Sequence, residues 1–217
     1  MKYVMAFSGS RRGPARLAEG ATRASVAAEC REAALELMAG IAEGWDKGDL
    51  ARWLAGPYAR ATRHCRHGER TVAERADAGA AGGSVSAAAI QALLTSTRGR
   101  LLAALEKAAL AGGALAFAGE IVERGFVRRA VDADGEDAWL PVDAPRMGLR
   151  DRVSALFVAD YLNAPEAYAA LYVCHRCEEV VFDDDARQLG MCWRHRRASG
   201  IEVRAGERDA TRAAGDG

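Results

Sequence analysis

The sequence predicts an α+β protein: mainly helical, with a small β-hairpin region and a C-terminal zinc-bound hairpin module. Three observations carry that expectation. Half of the 217 residues are hydrophobic while only 6% are aromatic, and alanine makes up much of the apolar share; alanine is the strongest helix former and contributes little burial energy per residue. Long stretches carry apolar residues at three- and four-residue spacing. Near the C-terminus, three of the five cysteines and two of the four histidines crowd into CHRCEEVVFDDDARQLGMCWRH, from Cys174 to His195.

Taken in order, residues 3–7 (YVMAF) read as a short strand and SGSRRGP as a turn. From Pro14 to Gly44 the pattern is helical, with Leu17, Val26, Cys30, Ala33, Leu37 and Ile41 on one side; Pro suits a first helical turn and Gly an end. A second helix is expected over Asp49–Ala61, with Leu50, Trp53 and Leu54 on its apolar face and Gly56-Pro57 as a kink or split. Periodicity then fades, so residues 1–70 form a helical region and 71–84 a linker or long loop. Ser84 or Ser86 caps a strong helix in which Ile90, Leu94, Leu101, Leu105 and Ala108 share a stripe, and Gly112-Gly113 end it.

Residues 85–172 comprise this helix, a hairpin and a further helix. GFVRRAVDADGEDAWLPVD is two extended runs around Asp134-Gly135, a hairpin signal. RDRVSALFVADYL reads as an amphipathic helix that Asn163-Ala-Pro165 breaks. Residues 173–205 form the metal module and 206–217 a disordered tail.

The metal reading rests on spacing: Cys174-x2-Cys177, fourteen residues, then Cys192-x2-His195. Zinc takes four tetrahedral ligands from thiolate and imidazole. Two ligands separated by two residues clamp an ion from one tight turn, and the intervening length suits an out-and-back path: Glu178–Phe182 as a strand, Asp183–Asp185 as a turn, Gln188–Met191 as the return. These residues resemble the zinc-ribbon and treble-clef class of small zinc modules, over about 30 positions from Val173 to Arg204. In treble clefs the second ligand pair opens a short helix, for which WRHRRAS is suited. The first knuckle departs from the usual pattern, with Glu178 where a glycine often follows such a pair. The resemblance implies zinc and a fold for this segment, and no particular activity.

Other chemistries fit less well. A redox CxxC needs a helix starting at its first cysteine, whereas EEVVF is extended. Covalent haem attachment needs histidine immediately after the second cysteine, and Glu178 stands there. Catalytic zinc keeps one position open, whereas four ligands are at hand. A second metal site could use His64, Cys65 and His67, with Cys30 joining. AFSGSRRG could expose amides to a phosphate, although the strands of a nucleotide fold do not follow. Asp183–Asp185 could meet a hard cation, although a solvated hairpin tip explains them. No Ser/His/Asp constellation stands out.

Lys+Arg and Asp+Glu balance at 30 each, so no net field draws the chain to nucleic acid or an acidic membrane. Only Lys2, Lys47 and Lys107 are lysines, so arginine abundance reflects coding bias more than phosphate binding. The N-terminus has too short an apolar run for a signal peptide, and no stretch reaches membrane-spanning length. A cytoplasmic location is expected, and an odd cysteine count suits a reducing compartment.

Three functions follow as expectations. The first is a non-enzymatic accessory or regulatory protein of bacterial type that uses a structural zinc module and helices to bind a partner protein. The second is a nucleic-acid-binding regulator using Arg187, Arg194, Arg196 and Arg197. The third is an enzyme whose site lies between the helices and the hairpin of residues 125–143, with zinc only bracing it.

Overall fold

In a computed structural model of the chain, residues 15–65, 86–132, 134–144 and 147–200 are described. The expected strand at 3–7, the phosphate-loop candidate, the linker at 71–84 and the tail after 205 lie outside them. The fold is α+β and mainly helical.

The chain begins with a two-residue strand β1 (Ala15–Arg16) and helix α1 (Arg23–Ala42). The helix starts later than Pro14 because Thr22 and Ser25 form a reciprocal cap: the Ser25 amide donates to Thr22 Oγ1 at 3.1 Å and the Thr22 amide to Ser25 Oγ at 2.9 Å. Asp46 caps α2 (Lys47–Trp53) in the same manner. Gly56-Pro57 then fall in a π-helical turn (Leu54–Tyr58), which leads into α3 (Ala59–Thr62). Ser86 caps α4 (Ala87–Leu110); of the stripe expected there, Leu94, Leu101, Leu105 and Ala108 are buried and Ile90 is half-buried. Gly112 ends the helix at φ +71° and Gly113 follows at φ +91°, where a Cβ would lie 2.2 Å from the Tyr168 carbonyl oxygen. Only glycine permits both the conformation and the approach.

After the short α5 (Ala118–Glu123), strands β2 (Val127–Val131) and β3 (Asp137–Pro141) form the expected antiparallel hairpin. Asp132 closes its turn, accepting from the amides of Asp134 and Glu136. β1 adds to β2 in parallel, so the sheet order is β1-β2-β3. The outer edge of β3 is closed by a side chain: the Trp139 amide donates to Asn163 Oδ1 at 2.8 Å, and Asn163 Nδ2 donates back to the Trp139 carbonyl at 2.7 Å.

Helix α6 (Leu149–Asn163) is the helix expected from RDRVSALFVADYL, but it is buried more fully than an amphipathic pattern requires. Every residue from Arg152 to Asp160 is buried. Its polar groups are tolerated there because each major one is paired. Asp160 accepts a two-pronged pair from Arg31, at 2.9 and 2.8 Å, and a hydrogen bond from Tyr168 at 2.9 Å. Arg152 donates to Asp143, Tyr58 and the Ala144 carbonyl. α6 is the centre of the main core, packed most extensively on α1.

A 3-10 turn (Pro165–Ala170) leads into β4 (Leu171–Val173), which pairs antiparallel with β5 (Val180–Phe182). The remaining elements are α7 (Asp184–Leu189) and α8 (Trp193–Ala198). Two expectations are corrected here. Asp183–Asp185 do not form a hairpin tip, because Asp183 caps α7 by accepting from the amides of Asp185 and Ala186. Gln188–Met191 do not return as an extended run, because α7 continues to Leu189 and Gly190 ends it. α8 is the short helix expected after the second ligand pair. β4 divides the interior: Leu171 and Val173 face the main core, while Tyr172 and Cys174 join Ala186 and Cys192 in a second cluster.

Candidate metal centre

The four predicted ligand residues come together. Cys174, Cys177, Cys192 and His195 place their ligand atoms within 4.8 Å of one another, a group that could hold a metal ion. Cys174 sits at the end of β4, Cys177 in the turn after it, Cys192 at the N-cap of α8 and His195 in its first turn. His195 Nδ1 lies 3.4 Å from Cys174 Sγ, 3.7 Å from Cys177 Sγ and 3.3 Å from Cys192 Sγ; Cys177 and Cys192 Sγ are 3.6 Å apart. Cys174 and Cys192 are fully buried and Cys177 is exposed.

The local backbone explains this convergence. The Glu178 amide donates to the Cys174 carbonyl at 2.7 Å, which folds the first knuckle, and the Cys174 amide donates to the Glu179 carbonyl at 2.9 Å. The second knuckle is closed by the amides of His195 and Arg196, both donating to the Cys192 carbonyl at 3.0 Å. Glu178, at the position where a glycine was expected, has φ +56° and is the only non-glycine residue with positive φ among the described ones. Arg98 of α4 holds it there, donating to Glu178 Oε2 at 2.5 Å and to its carbonyl at 3.3 Å.

Cys174 and Cys192 are pushed in opposite directions by their surroundings. Burial works against charge on Cys174, but the amides of Cys192, Arg176 and Cys177 outweigh it and hold that thiol down to about 6. Burial pushes Cys192 up to about 12, against the His195 amide, with Glu179 and the other two cysteines adding to the rise. A central cation would favour the thiolate form at both positions.

The four arginines considered for nucleic-acid contact are differently placed. Arg187 donates to the Ala169 carbonyl. Arg196 pairs with Asp183 at 2.5 Å and lies 3.7 Å from Asp185. Arg194 is 3.9 Å from Glu179 and stacks over the exposed Trp193 ring. Arg197 is exposed. His175 also faces solvent, edge-on to Tyr172.

The second metal candidate is not assembled among the described residues: His67 and the Cys65 side chain lie outside them. His64 is buried 3.6 Å from Glu29, and Cys30 is part of the main core. Burial and the neighbouring Arg63 lower the His64 pKa.

Sequence reasoning missed two residues of the centre. Tyr172 shares the ligand cluster, and its hydroxyl is buried with no hydrogen-bond partner among the described residues; strand alternation with Cys174 is the signal that reveals it. Arg98 lies 80 positions from Glu178, and no local pattern connects them.

Among the described residues no helix is long and apolar enough to cross a membrane. Compared with protein-family models, curated proteins and solved structures, the chain matches none.

Proposed function

We propose that the Cys174, Cys177, Cys192 and His195 group holds a structural zinc ion, and that the protein is a non-enzymatic accessory or regulatory protein presenting this zinc-braced segment and adjoining helices to a partner protein. The observation that carries the reading is the spacing of the ligand atoms. Zinc–sulfur bonds of about 2.3 Å and zinc–nitrogen bonds of about 2.0–2.1 Å in a tetrahedron require sulfur–sulfur edges of about 3.8 Å and sulfur–nitrogen edges of about 3.6 Å. The 3.6 Å Cys177–Cys192 separation and the 3.3–3.7 Å distances to His195 fit those edges. Three soft thiolates and an imidazole favour zinc over hard cations. Four protein ligands fill the tetrahedron and leave no position for substrate, which supports a structural ion.

The nucleic-acid reading is weaker. Arg187 and Arg196 are engaged within the segment itself, and its five carboxylates, from Glu178 to Asp185, match its five arginines, from Arg176 to Arg197. What favours it is the exposed Trp193 beside Arg194 and Arg197, a pairing that stacks on unpaired bases.

The test is metal content by mass spectrometry on untagged protein, wild type beside Cys177→Ser. The expected outcome is one zinc per wild-type chain, lost in the variant together with order in the C-terminal segment. Thiols that cycle to a disulfide without bound metal would replace this reading with a redox one. A salt-dependent gel shift with single-stranded DNA or RNA would move the function to nucleic acid.

A further inference from the structure

The edges of the two small sheets end differently. In an antiparallel pair, alternate residues direct their N–H and C=O groups at the partner strand and the others direct theirs away. On β3 the outward residues are Asp137, Trp139 and Pro141, and the Asn163 amide satisfies both main-chain groups of the central one, Trp139. On β4 the parity is fixed by the Cys174 amide donating to the Glu179 carbonyl and the Asp183 amide to the Ala170 carbonyl, each at 2.9 Å. Ala170, Tyr172 and Cys174 therefore face β5, and Leu171 and Val173 send their main-chain groups to the other edge. The Leu171 amide is taken by the Tyr168 carbonyl. The Val173 amide and the Leu171 and Val173 carbonyls have no hydrogen-bond partner among the described residues.

A groove of about 340 Å³ runs along this edge. One wall is the end of α4, where Ala109 lines the groove and Leu110 is 88% exposed. His175 and Arg187 also line it. The strand lies at the bottom, with Val173 only 2% exposed. An unpaired amide in such a place costs free energy comparable to a lost hydrogen bond, and a bare leucine beside it is apolar surface left in water.

We propose that this edge receives an extended segment of a partner protein by strand addition. The segment's main chain pairs with the Val173 amide and the Leu171 carbonyl, and one aliphatic side chain packs against Leu110 and Ala109. Main-chain complementarity selects the occupant: a helix has no free N–H or C=O along its length, whereas an extended chain offers both. A second copy of β4 does not fit, because each edge is recessed in its own groove. Nucleic acid is disfavoured by Glu106 on the rim and by the prior engagement of Arg187.

This inference rests on the partner-protein reading, and the experiment separates their failures. Full-length, metal-assayed, ¹⁵N-labelled protein is used to select from a phage-displayed library of random linear peptides. The expected peptides share a proline-free stretch with a central aliphatic residue. Leu110→Glu, at a position too exposed to disturb folding, weakens their binding about tenfold or more. In the complex the Val173 amide resonance moves and becomes protected from exchange, and N-methylation of the paired peptide residue abolishes binding. Folded, zinc-loaded protein that enriches no peptide overturns strand addition alone. So do peptides that bind Leu110→Glu equally well and leave the Val173 amide unmoved, or sedimentation showing a dimer that Leu110→Glu dissolves. Protein that holds no zinc and is disordered beyond Cys174 overturns both readings, since the knuckle that places His175 is then unformed.

Discussion

Asp160 shows how single residues hold this molecule together. Its side chain is wholly inaccessible, burial works to raise its pKa, and Arg31 and Tyr168 work against that rise. Removing one member of a buried pair strands the other. Asp160→Ala is therefore expected to lose about 3 kcal/mol or more of stability in urea unfolding, and Arg31→Met in the same background to recover part of it. Glu178 makes a second case. A left-handed conformation costs a non-glycine residue about 1–2 kcal/mol, and the Arg98 clamp offsets this. Arg98→Ala is expected to weaken zinc retention in a chelator competition, and the double change with Glu178→Gly to restore it. Equal retention in all three proteins would show that the clamp is incidental. The sequence reveals that position 178 is unusual, since a glycine was expected there, but the compensating arginine lies on a distant helix and only the fold brings it in.

Among the elements, α1 sets two effects against each other. Gly40 lies inside the helix, where alanine is worth up to about 1 kcal/mol more. A Cβ at that position, however, would lie 1.9 Å from the Trp45 ring. Overpacking typically costs about 1–3 kcal/mol, so Gly40→Ala is expected to lower the melting temperature despite its better propensity. A rise would show that Trp45 swings away freely. Elements with local signals were legible in advance: the Ser86 cap, the Asp134-Gly135 hairpin, the stripe of α4 and the knuckle spacing. The full burial of α6 was not. Its Arg152, Asp160 and Asn163 look like a polar face in sequence, and they are interior because Asp143, Arg31 and Trp139, from other elements, meet them. The start of α7 was hidden similarly, since Asp183 is equally suited to a turn or a cap.

For the whole molecule, the two clusters predict a graded response to metal loss. The main core is built on α1, α4 and α6, which do not contain the ligands, whereas Ala186 and Cys192 pack only around the metal group. Chelation is expected to strip exchange protection from amides across residues 174–198 and to leave those of α6 protected, as followed by hydrogen exchange with mass spectrometry. Simultaneous loss of both would mean that the ion supports the entire fold.

The division of the interior at β4 has a bearing on how such a segment could travel between proteins. Its alternate side chains belong to different interiors, Leu171 and Val173 to one and Tyr172 and Cys174 to the other. A cut at any residue of this strand tears both. Residues 173–200 transplanted to a foreign host would carry a greasy underside formed by Val173, Val180 and Phe182, and would need an acceptor shaped to cover it. Shuffling by gene fusion is thereby discouraged, and helices and metal segment are constrained to diversify as one heritable piece.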